Sequence, residues 1–307
     1  MKELTGILVL NKPAGFTSHD CIMKVRKILR MKKVGHTGTL DPDVTGVLPI
    51  CLGRATKVAE YITDAGKEYI GEVTLGFATA TEDASGEVVS VKQVDRVITR
   101  AEIIDVLNSL KGTITQVPPM FSAVKVNGIR LYEYAFKGQT VDRPSREVHI
   151  YELELLDDRD EYIGDQIRFS FRVSCSKGTY VRTLAVTVGE KLGFPAHMSK
   201  LVRSRSAGFS LDQALTFEKM TEMKENETIN LAIYPIESGI ENLPKLTVNQ
   251  ELEEKVLNGA VLMKNLFKID MVKPTAIFGD TGKLLAIYQN HPEKDWLFKP
   301  VKIIQID

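Results

Sequence analysis

The alternation of apolar and polar positions along the chain predicts short strands interrupted by capped helices. "GILVLNKP", an apolar run closed by proline, reads as the first strand. A helix then starts near Ser18, where Thr17 and Asp20 have capping-box spacing. Ile22, Val25 and Leu29 form its buried stripe, with Lys24, Lys27 and Arg30 on the other side. "GVLPICLGRATKVAEYI" predicts a short strand leading into a helix. "KEYIGEVTLGF" alternates, with Tyr69, Val73, Leu75 and Phe77 on one strand face. "TRAEIIDVLNSLKG" predicts a helix with Thr99 at its cap, Glu102 three residues later and Gly112 at its end. In "DQIRFSFRVSCSKGTY", the cleanest strand, Ile167, Phe169, Phe171, Val173 and Cys175 alternate with Arg168, Ser170, Arg172 and Ser174. "TYVRTLAVTVGEKLG" follows as a helix ending at Gly193, and "LVRSRSAGF", carrying Arg203 and Arg205, as another strand.

Residues 118–146 break this rhythm. Asn127-Gly128 signals a hairpin, and a short helix is expected to end at Gly138. Lys125, Arg130, Lys137, Arg143 and Arg146 interleave with Phe121, Tyr132, Tyr134 and Phe136, as in a projecting basic and aromatic segment. Hairpin-joined strands with segregated helices indicate an α+β fold with a mostly antiparallel sheet. A boundary is expected near residues 238–245, and the tail to Asp307 reads as a helix and short strands, a small, largely β second domain.

Composition narrows the class. With 307 residues and 43% hydrophobic content, roughly two domains with proper cores are expected. No apolar run is long enough to span a membrane, and the amino terminus lacks the features of a signal peptide, so a cytoplasmic protein is expected. Cys21, Cys51 and Cys175 are far apart, with no CxxC, and read as reduced thiols. The five histidines show no ligand spacing, and no nucleotide-binding, HExxH or GxSxG motif occurs. Neither a metal nor a cofactor is expected, so chemistry must rest on side chains. The net charge of zero hides segregation: residues 172–205 carry seven Lys and Arg against Glu190 alone, and residues 1–60 carry ten against five acids. A basic face with an acidic back fits a polyanion partner.

"GHTGTLDPDVTG", residues 35–46, concentrates three glycines and two aspartates. Glycine lets another molecule approach the backbone, and Pro42 pushes Asp41 towards an extended conformation. Two readings are open. One is a surface turn whose aspartates cap backbone N–H groups. The other is a carboxylate aimed at a close ligand: Asp41 and Asp43, about 7 Å apart on an extended segment, could serve a glycosidic-bond reaction. Such a carboxylate needs a cation to keep it ionised, and Arg182, just after the turn "SKGTY", is a candidate.

"LNKPAGFTS", "GHTGTLDPDVTGVLP" and "SKGTYVRTLA", in this order, resemble the motifs of the TruB-type tRNA pseudouridine-55 synthases over roughly residues 4–235. The tail resembles, on weaker motifs, the small PUA RNA-binding domain of bacterial members. The resemblance implies a mostly antiparallel mixed sheet of the pseudouridine synthase type with flanking helices and an RNA-gripping insertion at about 118–146. It implies domains at 1–240 and 241–307. The implied chemistry detaches uracil from its ribose, rotates it and rejoins it through C5, after the base is flipped from the T-loop. Asp41 matches the catalytic aspartate, Tyr69 the tyrosine against the uracil, and Arg182 the arginine paired with the aspartate. His36, Tyr180 and Leu201 match residues around the flipped nucleotide, and Lys12 and Pro13 a motif supporting the active-site loop. Lys125, Arg130, Arg143 and Arg146 fall in or beside the RNA-gripping segment. A T-arm stem-loop is the implied partner, with no guide RNA, no obligate protein partner and a monomeric state. A non-catalytic RNA-binding or tRNA-folding protein is the alternative, and a glycosidase using both aspartates a distant third.

Overall fold

The computed structural model describes residues 4–267, 271 and 273–305. The expected domain limits at 1 and 307 therefore lie outside the described residues, as does the end of the tail reading. Contact density divides the chain into two compact units, Met1–Ala65 with Ser206–Asp307, and Gly66–Arg205. This differs from the expected cut at 240/241.

In the first unit, strand Gly6–Lys12 pairs antiparallel with Thr45–Leu52 in unbroken register, from Gly6 opposite Leu52 to Lys12 opposite Gly46. Its other edge takes Ile233–Tyr234, and Val34–His36 pairs with the far edge of Thr45–Leu52. Successive strand residues point to opposite faces. Ile7, Val9, Val47 and Cys51 join one core cluster, while Leu8, Leu10, Leu48, Ile50 and Leu52 join another. Covering both faces explains why these strands read as continuous apolar runs. Helix Ser18–Leu29, with Thr17 and Asp20 forming the expected capping box, supplies Cys21, Ile22, Val25 and Leu29 to the second cluster. After Gly53 the chain makes a 3-10 turn, Gly53–Val58, before the short helix Ala59–Thr63. The tail builds a five-stranded sheet in the order Lys245–Thr247, Thr275–Phe278, Leu284–Asn290, Leu297–Ile303, Leu262–Met263, with helix Gln250–Leu257 contacting it. Ala276, Phe278, Leu284, Ile287 and Ile304 share the first cluster with Ile7 and Val9, which is why compactness groups the tail with the amino-terminal strands.

In the second unit, five strands lie in the order Ala196–Ser206, Lys67–Leu75, Ile167–Cys175, Arg146–Leu155, Gly112–Gln116. The pairings of Ile167–Cys175 with Lys67–Leu75 and with Arg146–Leu155, and of Arg146–Leu155 with Gly112–Gln116, are antiparallel. Ile167, Phe169, Phe171, Val173 and Cys175 are buried, and Arg168 and Arg172 are exposed, as the alternation predicts. Helices Arg100–Asn108 and Val181–Leu192 pack on each other and on this sheet. Two boundaries differ from expectation. The strand from Lys67 stops at Leu75, because Gly76 turns the chain at φ +114, and Phe77–Thr79 pairs instead with Val88–Val91. A Cβ at Gly76 would lie 2.8 Å from the Asp165 carbonyl, so only glycine fits this corner. The helix capped by Thr99 ends at Asn108, and Gly112, at φ +92, opens the next strand rather than closing the helix. The hairpin at Asn127-Gly128 has both residues at positive φ, 52 and 82, as a two-residue turn requires.

Candidate active site

The loop of residues 35–46 is pinned from several sides. Lys12, fully buried, donates from Nζ to the carbonyls of Pro13 at 3.0 Å, Pro42 at 2.8 Å and Val44 at 2.7 Å. These three acceptors match the three N–H donors of an ammonium. The Gly15 N–H donates to the same Pro42 carbonyl at 3.0 Å, and the Val44 N–H to the Asp41 carbonyl at 3.1 Å. On the other side of Asp41, the Leu40 N–H donates to Ser18 Oγ at 2.9 Å, and Ser18 Oγ to the Leu40 carbonyl at 3.3 Å. Thr37 donates from both its backbone N–H and its hydroxyl to the Pro49 carbonyl. Gly38 and Gly46 take φ +94 and +109, which a side chain would strain. Asp41 is thus half-buried between two anchored neighbours, whereas Asp43 is exposed. His36 is half-buried at the end of Val34–His36, opposite Ile50.

The second unit carries Tyr69, Tyr180, Arg182 and Leu201. Tyr69 is buried in strand Lys67–Leu75 opposite Val173. Two residues on, Gly71 leaves room for its neighbours: a Cβ there would meet the Phe171 ring at 2.7 Å and Leu201 Cδ1 at 3.1 Å. Tyr180 precedes helix Val181–Leu192, and Gln116 fixes its backbone by accepting from the Tyr180 N–H at 3.0 Å and donating to its carbonyl at 3.2 Å. The Arg146 guanidinium lies 5.4 Å from the Tyr180 ring centroid, a cation–π distance.

Arg182, on the first turn of that helix, is 4% exposed. Its guanidinium donates to the Thr81 carbonyl and to the Phe121 carbonyl, both at 2.9 Å, and lies 3.7 Å from Asp83 Oδ2. Asp83 is itself fixed, since its Oδ1 accepts from the Thr81 hydroxyl and from the Ser85 N–H and hydroxyl. Ser18 beside the aspartate loop, and Thr81, Asp83 and Gln116 beside Arg182 and Tyr180, were not among the expected residues. Nothing in their local pattern distinguishes them from ordinary turn, cap and strand-end residues.

The 118–146 segment is anchored by fully buried Leu131, whose N–H donates to the Val124 carbonyl. Phe136, 78% exposed, lies edge-on to Phe121 and Tyr132. Lys125 and Arg130 are exposed on the hairpin strands, and Arg130 donates to the Tyr132 hydroxyl at 2.8 Å. Arg143, also exposed, donates to the Pro118 carbonyl at 3.0 Å, closing the base of the segment. An exposed aromatic surface among cations suits bases and phosphates together.

The first unit thus carries a pinned aspartate, and the second a buried arginine and a basic, aromatic projection. The chain aligns with a crystal structure of a Cbf5-Nop10-Gar1 complex at TM-score 0.77 and 30% identity, covering 98% of this chain and 85% of that one. An archaeal box H/ACA Nop10-Cbf5 complex aligns at TM-score 0.72 and 27% identity, covering 98% and 86%. The family model "TruB family pseudouridylate synthase (N terminal domain)" matches residues 26–181, and "tRNA pseudouridylate synthase B C-terminal domain" matches 182–241. A Bacillus cereus protein, tRNA pseudouridine synthase B, is 55% identical over 98% of this chain and 97% of its own length. A Geobacillus thermodenitrificans protein of the same name is 53% identical over 98% and 100%. The chain belongs to the TruB family of tRNA pseudouridine synthases. It is an isomerase that turns uridine into pseudouridine in tRNA.

Proposed function

We propose that the uridine converted is uridine-55 in the T-loop of tRNA, and that Asp41 is the carboxylate that acts on it. The observation that carries this reading is the fixation of the loop around Asp41 by Lys12 and Ser18. A catalytic group must be held to within a fraction of an ångström of its productive position. The target base leaves its stack, at a cost of a few kcal/mol, and Tyr69 offsets part of that by packing against the uracil. His36, Tyr180 and Leu201 contact the flipped nucleotide, and Arg182 is the cationic member of the site. Through Asp41 the C1′–N1 bond breaks, the uracil turns, C5 bonds to C1′, the C5 hydrogen leaves as a proton, and the freed N1 takes up a proton, so that substrate and product are isomers. Lys125, Arg130, Arg143 and Arg146 hold the phosphates of the T-arm.

Residues 1–240 form the catalytic domain and 241–307 a PUA-like RNA-binding domain. The second family model ends at residue 241, and Val248, Val256, Ile277 and Phe298 give the tail a core cluster of its own. No helix among the described residues is long and apolar enough to cross a membrane. The protein works as a cytoplasmic monomer without a guide RNA or obligate protein partner.

The test is tritium release from a T-arm hairpin labelled at C5 of its uridines, in EDTA, with wild type and Asp41→Asn. Release by wild type alone is expected. Equal RNA binding by both proteins with no release by either would mean that the chain only holds or folds RNA.

A further inference from the structure

Glu82 immediately precedes Asp83 in the loop around Arg182, and Thr183 immediately follows Arg182 on the helix. The Thr183 hydroxyl donates to Glu82 Oε2 at 2.6 Å. Two links therefore run side by side between the loop and the first helical turn, Glu82 to Thr183 and Asp83 to Arg182. Glu82 takes φ +64, a conformation unusual for a residue with a side chain. The surrounding backbone enforces it: the Met198 N–H donates to the Glu82 carbonyl at 3.0 Å, and Asp83 forms a parallel bridge with Met198. Burial pushes the Glu82 carboxyl above its ordinary range, opposed by the Thr183 hydrogen bond and the charges of Arg182 and Arg143, while Glu190 adds to the rise.

We propose that Glu82 is a positioning residue for the isomerisation. Through Thr183 it orients the first turn of helix Val181–Leu192, and so the Arg182 guanidinium against Thr81 and Asp83. The inference rests on the role proposed above for Arg182. The Glu82–Thr183 bond, short at 2.6 Å, ties the loop directly to this turn, beside the 3.7 Å ion pair of Asp83 with Arg182. A misplacement of about 1 Å at a catalytic group costs on the order of a hundredfold in rate. Protonation of Glu82 turns one of its acceptor oxygens into a donor and removes the charge that strengthens the bond. The rate should then fall on the acid side at a pH above the usual glutamate range, with Arg182, Arg143, Asp83 and Glu190 as the charged groups around it.

The experiment measures single-turnover tritium release with enzyme in excess, hairpin affinity by filter binding, and melting by circular dichroism. Thr183→Val should lose ten- to a hundredfold in rate, by the ~1 Å argument, with affinity and melting close to wild type. Thr183→Ser, which keeps the hydroxyl, should recover most of the rate. Glu82→Gln, the neutral mimic of the protonated acid, should run near the slow acid-side rate at every pH and so lack the acid limb. A wild-type rate for Thr183→Val, or a Thr183→Ser protein as slow as the valine variant, overturns the proposal. Should Thr183→Val melt below the assay temperature, Glu82→Gln decides, and an unchanged acid limb overturns the proposal. Arg182→Ala separates the two levels. Full rate in that variant sinks the reading of Arg182 itself, whereas a slow Arg182→Ala beside a fast Thr183→Val sinks only the role of Glu82.

Discussion

Replacing Lys12 with methionine tests whether the site is built by one buried ammonium. Methionine keeps the unbranched apolar stem and removes the charge and all three donors. The three carbonyls that lose a partner are not equivalent. Pro42 keeps the hydrogen bond from Gly15, whereas the bond to Val44 is buried. Hydrogen bonds to charged groups contribute about 1.5–3 kcal/mol each, and an orphaned buried acceptor costs about 1–3 kcal/mol. Counting Val44 in full, Pro13 in part and Pro42 least, the loss is about 3–4 kcal/mol. At roughly 2–4 °C per kcal/mol, melting should fall by roughly 6–16 °C. Asp41 lies between Leu40, held by Ser18, and Pro42, held by Lys12, so the change frees one side of the loop that carries it. Single-turnover tritium release should drop on the order of a hundredfold. Calorimetry and the tritium assay on the same preparation read both effects. A Lys12→Met protein that melts within about 2 °C of wild type and turns over at its rate would refute the argument. Lys12→Arg should not rescue, since a planar guanidinium fork cannot reproduce the trigonal spread of donors.

Gly71→Ala places a methyl against Phe171 and Leu201, and should destabilise by about 1–3 kcal/mol and weaken hairpin binding, read by melting and filter binding. Burial raises the Cys21 thiol and pushes Cys51 up to about 12 and Cys175 to about 11, so a thiol reagent at pH 8 should find no fast-reacting cysteine in the native protein and all three after denaturation. Neutralising Lys125 or Arg130 should reduce the salt slope of RNA affinity by about one unit, and an unchanged slope would remove that residue from the interface. Asp20 is held below its ordinary 3.8 by hydrogen bonds from Thr17, so the capping box contributes stability above that pH and loses it as pH falls through the lowered value. Thr17→Ala should therefore lower the melting temperature more at pH 7 than at pH 2.

The elements of this protein are written locally. Thr17 with Asp20 and Thr99 with Glu102 mark two helix starts, Asn127-Gly128 marks a hairpin, and the alternation through Ile167 and Cys175 marks a strand, because caps, turn dihedrals and strand period act within a few residues. The glycine–aspartate motif likewise marks a tight loop, with Gly38 and Gly46 at positive φ. The surroundings that give such residues their positions left no comparable trace. Lys12 reaches Val44 across 32 residues, and Arg182 reaches Thr81 across 101. Where the strand from Lys67 ends was decided by the Asp165 carbonyl facing Gly76, and the grouping of the tail with the amino-terminal strands by a shared core. A polar contact between distant segments obeys no period and needs no special residue beside it. Only when the chain has folded does burial decide which lysine, arginine or glutamate must find a partner, and which partner is within reach.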